Sequence, residues 1–361
     1  MQKRISILIF IAFFINIFTG ALIFAQEPAK IEQIEREIEK EKLLRERIGK
    51  EEKKPEIEEK PAPEPAYPVS EEKVLLKKIT VTGVTLFSAK DIKDIIEQFE
   101  NKELAIREMQ KAADLITDIY RQKGYITSRA YLPPQKIEQG ILEIRVVEGI
   151  TGDFKIQGNR YFKAALLRNK IALKKGEPFN YNILRKGLSK INEQPDRNAK
   201  AVLMPGKEPG ATDTVLEVKD RLPIHIGFDW DNFGSRYIEK ERYTIRLTHN
   251  NLLGLDDKLT FQYQLAQDSR YFLKSIRYLM PIGSNLELGM YSIFSRVKLG
   301  QDLQDSDSRG KSRIYGLFLN KSLIDAENLD LRLNLGFDYK DITNYQLQAV
   351  SSHDRLRLVK M

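Results

Sequence analysis

The residue types that carry most catalytic and metal chemistry are few and scattered in this sequence. The chain of 361 residues contains three histidines, His225, His249 and His353, and no cysteine. The histidines lack the HExxH spacing of a zinc site, and without cysteine there is neither a thiolate ligand set nor a disulfide. The pattern favours histidines on strand surfaces and predicts no metal and no cofactor.

Phosphate-binding and nucleophile motifs are also missing from the sequence. The segment PGKEPGATD lacks the Walker spacing, and neither a nucleophile elbow nor a Gly-x-Gly-x-x-Gly turn follows a strand pattern. Isolated carboxylates such as Asp229 and Asp231 are typical of turns. The sequence predicts a protein that is not an enzyme, so its function has to be sought in its architecture.

Composition narrows the class of protein further. The chain is 42 % hydrophobic and 30 % charged, which is ordinary for a soluble protein and argues against a membrane protein built from helices. A membrane protein built from strands has the same composition, because only alternate residues need be apolar. The formal net charge is +8, but the basic residues alternate with acidic ones, so we expect no nucleic-acid partner.

The first 73 residues divide into three segments. Residues 1–25 have a basic start, an apolar run and a small residue at Ala25, which predicts a signal peptide, with an uncleaved membrane anchor as the alternative. Residues 26–54 are rich in helix formers with acidic and basic residues four apart, which predicts a charged helix or a disordered charge run. Residues 55–73 form a Pro-rich linker, which we expect to be an extended spacer.

A duplicated unit follows the linker. The segment 74–149 reads strand, helix, helix, strand, strand, and the same order recurs over 150–221. Gly83 and Gly158 hold equivalent places after the first strand of each copy. Each copy is predicted to pack two helices on one face of a small mixed sheet.

The region 222–361 loses helical periodicity and alternates instead. We count about seven strands there, joined as antiparallel hairpins. In Leu329 to Lys340 the odd positions are Leu, Phe or Tyr and the even positions are polar, apart from Gly336. A sandwich core and a lipid bilayer would both select this pattern, so the strand alone leaves the medium open.

An ordered series of turn motifs resembles one transporter family. The segment from NEQPDRNAKAVLMPG to the first hairpin resembles the junction between POTRA domains and barrel in two-partner secretion transporters, the ShlB/FhaC haemolysin secretion and activation family. The segment YLPPQKIEQGILEIRVVEG resembles the first POTRA domain of that family. The matching positions are Gln135, Gly140, Glu148, Gly149, Pro205, Gly206, Asp231, Asn232, Gly234, Asn251, Gly254 and Asp257, while Gly83, Gly158 and Asn159 are structural positions of the two copies.

The resemblance implies a fold and a function. It implies tandem POTRA domains at 74–149 and 150–221 in the periplasm, and the N-terminal part of an antiparallel transmembrane β-barrel at 222–361 in the lipid of the cell outer membrane. The partner would be a secreted, unfolded exoprotein of adhesin or haemolysin type, and the charged helix would plug the barrel. On family grounds we expect substrate to bind in the groove between the helix near Ala105 to Lys123 and the strand near Ala130. Its contacts would be Tyr120, Arg129 and Tyr131.

The sequence also departs from the family. The family's Val-Arg-Gly-aromatic loop motif is absent, and the chain ends at HDRLRLVKM without a terminal aromatic residue. The expectation from these two features is a chain truncated at its C-terminus. Two other functions remain open at this stage, an insertase for outer-membrane proteins and a soluble periplasmic scaffold whose strands form a sandwich.

Overall fold

The computed structural model describes residues 56–59 and 73–361, apart from 267, 284, 327 and 328. The predicted signal peptide, the charged helix and most of the Pro-rich linker lie outside the described residues and stay predictions. The described chain forms two compact units that meet in sequence between Leu222 and Pro223.

Repeat 1 is the first copy of the duplicated unit. Its main sheet has the strand order β3-β6-β5, with β3 parallel and β5 antiparallel to the central β6. A separate antiparallel pair joins β2 to β4. The elements are β2 (Lys73–Leu76), β3 (Lys78–Thr82), α1 (Ala89–Ile96), β4 (Lys102–Ala105), α2 (Ile106–Gln122), β5 (Arg129–Tyr131) and β6 (Ile141–Val147).

Helix α2 supplies most of the helical side of the repeat 1 core. Met109, Ala113, Ile116 and Tyr120 recur three or four residues apart and are all buried. That spacing places them on one face of a 3.6-residue helix. They pack on Leu142, Ile144 and Val146, which alternate with exposed or half-buried residues along β6.

Repeat 2 shares the strand, helix, helix, strand, strand core of repeat 1, has no counterpart of β2 or β4 among the described residues, and gains the strand β1. Its sheet runs β1-β8-β9-β7, with β7 parallel and β8 antiparallel to β9. The predicted strand–helix–helix–strand–strand order is therefore confirmed in both copies, to which the structure adds β1, β2 and β4. The elements are β1 (Ile57–Glu59), β7 (Ile150–Gln157), α3 (Ala164–Arg168), α4 (Tyr181–Asn192), β8 (Arg197–Pro205) and β9 (Ala211–Asp220).

The duplication extends to backbone detail at Gly83 and Gly158. Both have positive φ, +82° and +83°, a region that favours glycine. A Cβ at Gly83 would lie 2.2 Å from the carbonyl oxygen of Val146, and one at Gly158 would lie 2.4 Å from that of Val218. In each copy the first strand ends where only glycine fits against the last strand.

The second unit is one antiparallel sheet with strands in sequential order, and β10 and β17 form its two edges. It contains eight strands, one more than the seven predicted. Its elements are β10 (Ile224–Asp231), β11 (Arg242–His249), β12 (Lys258–Ala266), β13 (Tyr271–Ile282), β14 (Leu286–Lys298), a 3-10 helix (Gln301–Ser306), β15 (Arg309–Ala326), β16 (Leu329–Gln346) and β17 (Ala349–Lys360).

The missed strand is β17, because its residues break the alternation used to predict strands. Arg355 and Arg357 pair with Asp341 and Tyr339 and so share the face of the apolar residues of β16. Hydrogen bonding to β16 over most of its length holds β17 in the sheet despite that reversed polarity.

The two faces of this sheet have the reverse of the usual exposure. On the apolar face, Leu317 and Phe337 are 47 % and 41 % exposed and Ile226 is 79 % exposed. On the polar face, Asp338 and Lys340 are 2 % and 6 % exposed. A soluble sandwich buries its apolar face, so this sheet is built to place apolar side chains outward. Among the described helices, none has the length and hydropathy needed to cross a bilayer.

Candidate functional site

Strand β5 is the edge at which the sequence analysis places substrate binding. It has three residues: Ala130 is buried, while Arg129 is exposed and Tyr131 half-buried on the opposite side of the strand. Ala130 faces α2, and its N–H donates to the buried Thr117 hydroxyl at 3.0 Å. The expected groove between α2 and β5 is therefore closed at Ala130, and the accessible side chains of β5 lie on the face of the sheet that carries no helix.

Tyr120 is not accessible to a ligand, which corrects its prediction as a substrate contact. Its side chain is fully buried and its hydroxyl donates to Glu148 at 2.7 Å. Burial, together with that hydrogen bond, raises the pKa of Tyr120, so the phenol stays protonated and remains a donor. Its helical spacing with Met109 and Ile116 was already the signal of a core position.

Glu148 holds the loop that follows β3. Its carboxylate accepts hydrogen bonds from the N–H of Thr85 (2.8 Å), the N–H of Leu86 (2.9 Å) and the Thr85 hydroxyl. Burial raises the pKa of Glu148, but the hydrogen bonds from Thr85, Leu86 and Tyr120 together outweigh it, so the pKa lies below its usual range. We call this arrangement the carboxylate clasp of repeat 1.

Repeat 2 has an equivalent clasp. The Asp220 carboxylate, at the end of β9, accepts from the N–H groups of Arg160, Tyr161 and Phe162 at 2.8 to 3.0 Å. Asn159 supports the same loop by donating to the Phe162 carbonyl at 2.8 Å. The two clasps fix the same loop in both copies and are structural.

The helix-free face of the repeat 1 sheet combines charged and apolar groups. Arg145 donates to Glu143 at 3.0 Å in the middle of β6, and Ile141 and Val147, at the two ends, are 45 % and 39 % exposed. Tyr131 is the register partner of Arg145. This face offers aromatic, apolar and charged contacts for the side chains of an extended peptide.

Gln135 extends the hydrogen bonding of β6 past the end of β5. Its side-chain amide donates to the carbonyl of Glu143 at 2.7 Å and accepts from the N–H of the same residue at 2.8 Å. The amide thus takes the place of a strand residue opposite Glu143. The edge of β6 is covered on this side as far as Gln135.

The corresponding edge of repeat 2 carries an added strand. β1 pairs in parallel with β8, with Ile57 opposite Ala201, and the Ala201 N–H donates to the Glu56 carbonyl at 3.1 Å. Ile57 packs on the repeat 2 core, and Lys200 contacts Glu58 at 2.9 Å. Sequence pattern does not predict this strand, because Ile57 is the one apolar residue of β1 and prolines and glutamates surround it.

The other matched positions of the two repeats form turns and junctions. The Gly140 carbonyl accepts from the N–H groups of Lys77 and Lys78, and the Gly149 N–H donates to the Ser128 hydroxyl at 3.0 Å. Pro205 ends β8, and the Gly206 N–H donates to the Ala211 carbonyl, which closes the β8–β9 hairpin.

The matched positions of the large sheet shape two of its connections. Asp231 accepts from the N–H of Phe233 and from Arg242 at 2.9 and 2.8 Å, Asn232 is exposed, and the Gly234 N–H donates to the Lys240 carbonyl. These contacts order the connection between β10 and β11.

In the next connection, between β11 and β12, Asp257 is fully buried and accepts from Leu253, Leu255 and the Tyr278 hydroxyl. Asn251 accepts from the Asp256 N–H, and the Gly254 N–H donates to the Asn251 carbonyl. No group of metal-ligating residues occurs within the part of the chain that the structure describes.

Comparison with protein families matches two segments of the chain. Residues 74–149 match the family described as POTRA domain, ShlB-type. Residues 210–355 match the family described as haemolysin secretion/activation protein ShlB/FhaC/HecB.

Curated relatives align over most of the chain. The heme/hemopexin transporter protein HuxB of Haemophilus influenzae (strain 86-028NP) is 26 % identical over 275 residues, which are 74 % of this chain and 48 % of that protein. The hemolysin transporter protein ShlB of Serratia marcescens is 26 % identical over 289 residues, 78 % of this chain and 50 % of that protein. The chain spans about half the length of these relatives.

A solved structure shares the fold. CdiB from Escherichia coli superposes with a TM-score of 0.69 at 22 % identity, covering 93 % of this chain and 64 % of CdiB. The duplicated unit and the antiparallel sheet with its apolar face exposed define the class of proteins in which POTRA domains precede a β-barrel. The eight strands resemble part of such a barrel. Within that class, residues 74–149 and 210–355 are similar to the ShlB/FhaC/HecB family of two-partner secretion transporters.

Proposed function

We propose that this protein is an outer-membrane transporter that receives an unfolded exoprotein through its repeats in the periplasm and secretes it through a β-barrel pore. The cargo class is an exoprotein of adhesin or haemolysin type, in keeping with relatives that are named hemolysin, heme/hemopexin and CdiB transporters. We place the protein among transporters and not enzymes, since its family secretes proteins and the sequence carries no catalytic motif.

The observation that carries this proposal is the reversed exposure of the large sheet. Leu317 and Phe337 are exposed while Asp338 and Lys340 are buried on the other face. In water, exposing a broad apolar face is unfavourable at about 25 cal/mol per Å². In a bilayer the same face is solvated by acyl chains, and the polar face lines a hydrated lumen. A soluble scaffold with its own sandwich core does not account for this pattern.

Repeat 1 is the proposed docking site for cargo, at β5 and the helix-free face beside it. Because the Ala130 N–H is bonded to Thr117, we place recognition in the side chains of Arg129 and Tyr131 and in the apolar ends of β6. Repeat 2 has a strand added at its equivalent edge, where β1 pairs in parallel with β8, but in repeat 1 the bonded Ala130 N–H leaves recognition mainly to side chains.

The first experiment tests localisation and transport together. The protein is expressed from its own gene in a Gram-negative host, together with any large exported protein encoded next to it. We expect recovery in the outer-membrane fraction, a heat-dependent shift in electrophoretic mobility, and cargo in the culture medium. A soluble periplasmic product would contradict the proposed function, and a folded membrane protein that releases no cargo would favour the insertase alternative.

The second experiment tests the docking contacts. Arg129→Ala combined with Tyr131→Ala is expected to reduce cargo secretion at least fivefold while the outer-membrane level stays unchanged. The matched control is Arg107→Ala with Leu115→Ala, two exposed positions on helix α2 of the same repeat. Equal secretion by the two double variants would show that β5 does not bind cargo.

A further inference from the structure

The apolar face of the large sheet changes to basic near one end. Pairing places Lys274 and Arg313 on either side of Phe294, in strands β13, β15 and β14. Arg296, two residues beyond Phe294, lies opposite Lys311. We call Lys274, Arg296, Lys311 and Arg313 the basic cluster. Because neighbouring strands are about 4.8 Å apart, the four backbone positions lie within about 10 Å across the three strands.

The basic cluster forms no ion pair with the described residues. All four side chains are exposed, and none forms an ion pair with a carboxylate of the described residues. Asp341, the register partner of Arg313, instead contacts His353 at 3.0 Å. Arg296 and Lys311 oppose each other directly, which is a destabilising arrangement for like charges. An anion between them would remove that repulsion.

Aromatic rings lie beneath the cations. The Lys274 ammonium is 5.7 Å from the centroid of Phe272, the Arg296 guanidinium is 5.5 Å from the same ring, and the Arg313 guanidinium is 5.9 Å from Phe294. These contacts hold the side chains along the face while the charged groups remain exposed. The site thus combines apolar rings with four cations that form no ion pair within the described residues.

The cluster lies at the end of the sheet away from the chain connection to repeat 2. β10 begins at Ile224, four residues after β9 ends at Asp220, and the strands then alternate in direction. The cluster adjoins the opposite end, where Lys274 is near the start of β13 and Arg296 near the end of β14. The proposed function places the repeats in the periplasm, and in that orientation this end of the sheet lies at the outer leaflet.

We propose that the basic cluster binds the phosphate groups of an anionic glycolipid of the outer leaflet, the lipid A portion of lipopolysaccharide. Arg and Lys bind phosphate by charge-assisted hydrogen bonds, and Arg does so in bidentate geometry. A lipid is favoured over a free anion because the cations stand on the apolar face, where the rings of Phe272 and Phe294 can contact acyl chains. This proposal rests on the proposed function, which supplies the orientation in the membrane.

The test uses the protein expressed from its own gene and purified in neutral detergent. Binding of fluorescent bisphosphorylated lipid A is titrated and compared with dephosphorylated lipid A. We expect saturable binding that weakens with salt and is at least about tenfold weaker without the phosphates. Displacement by inorganic phosphate at low millimolar concentration would overturn the lipid assignment in favour of a small-anion site.

Two variants keep the test independent of folding. The variant Lys274→Gln/Arg296→Gln/Lys311→Gln/Arg313→Gln removes the cluster. The variant Arg296→Gln/Lys311→Gln removes only the opposed pair and relieves its repulsion, so it is expected to fold. We expect binding to fall at least about tenfold in the first and at least threefold in the second.

The matched control removes four exposed charges from the repeats instead, with Lys90→Gln, Lys111→Gln, Lys136→Gln and Lys186→Gln. Equal loss in this control, or unchanged binding in the pair variant, would overturn the proposal. Heat-dependent mobility is measured on every sample. A protein that inserts in the membrane but does not bind lipid A contradicts this inference alone, whereas a soluble product contradicts the proposed function and the lipid site with it.

Discussion

The carboxylate clasp of repeat 1 gives a prediction with a defined magnitude and pH dependence. Glu148→Gln preserves the shape of the side chain and removes its charge. The native carboxylate accepts four hydrogen bonds, two from Thr85, one from Leu86 and one from the buried Tyr120. The variant retains one carbonyl oxygen as an acceptor. That oxygen is neutral, so the hydrogen bonds it accepts are weaker than those to the carboxylate.

The expected loss follows from the strength of these bonds. Hydrogen bonds to a charged group contribute about 1.5–3 kcal/mol each and neutral ones about 0.5–1.5 kcal/mol. The hydrogen bonds from Thr85 are exposed to solvent and contribute least. The donor of the Tyr120 hydrogen bond belongs to a fully buried side chain, so solvent competes with that bond less. We expect the free energy of unfolding of segment 52–222 to fall by about 1–3 kcal/mol at pH 7.

The difference between native and variant segments should depend on pH. The pKa of Glu148 is lowered in the folded state, so the charged form contributes stability above the unfolded pKa of about 4.3, and that stability is lost as pH falls through the folded pKa. The difference should be constant above about pH 6 and should disappear in acid below the folded pKa.

Urea unfolding monitored by circular dichroism measures this effect, since the single tryptophan, Trp230, lies outside the segment. Glu138→Gln is the control, because it removes the same charge from an exposed position of the same repeat. Equal unfolding free energies for Glu148→Gln and Glu138→Gln at pH 7 would refute the reasoning. So would a difference that persists unchanged at pH 2.

Three further perturbations test other parts of the structure. Gly83→Ala and Gly158→Ala should each lower the unfolding free energy by about 2 kcal/mol or more, because the cost of a positive φ and the cost of a Cβ close to a carbonyl oxygen are additive. Melting curves that match the native segment would contradict this. Leu317→Lys, on the apolar face, should cost about 2–4 kcal/mol in the membrane and reduce the heat-modifiable form, whereas an unchanged yield would argue against lipid contact. Glu58→Pro should release β1, so that hydrogen exchange at the Ala201 amide accelerates at least tenfold; protection that stays at the native level would show that β1 does not hold this edge.

Much of the fold could be predicted from sequence because its periodicities are local. The helix at Ile106–Gln122 and the strand at Leu329–Gln346 carry long, uninterrupted patterns of period 3.6 and 2. The elements that were missed are short or depend on distant partners. β1 has three residues and one apolar side chain, and β17 presents Arg355 and Arg357 on the apolar face, so only pairing with other strands identifies them.

The candidate site was predicted less completely than the fold, for a physical reason. Sequence places Tyr120 in a helix next to the expected edge, but its exposure depends on which helix face meets the sheet. Arg129 and Tyr131 stand two residues apart on one face of β5, and the direction of that face is set by the buried Ala130 and its bond to Thr117. Side-chain direction at an edge strand is a tertiary property, and no local pattern of three residues reports it.

The length of the apolar stretch on β16 supports a sheet whose apolar face lies in a bilayer. From Leu329 to Tyr339 the apolar positions span ten residue steps, about 33 Å at about 3.3 Å per residue. With strands tilted by about 40°, this length projects to about 25 Å along the membrane normal, the height of the apolar band of outer-membrane barrels. The stretch ends where Tyr339 stacks on Tyr315 at 6.4 Å, and the next row contains Asp341 and Arg313 of the basic cluster. A band of this height, closed by aromatic rings and followed by charge, matches a bilayer interface, whereas a sandwich core requires only a strand of about five or six residues.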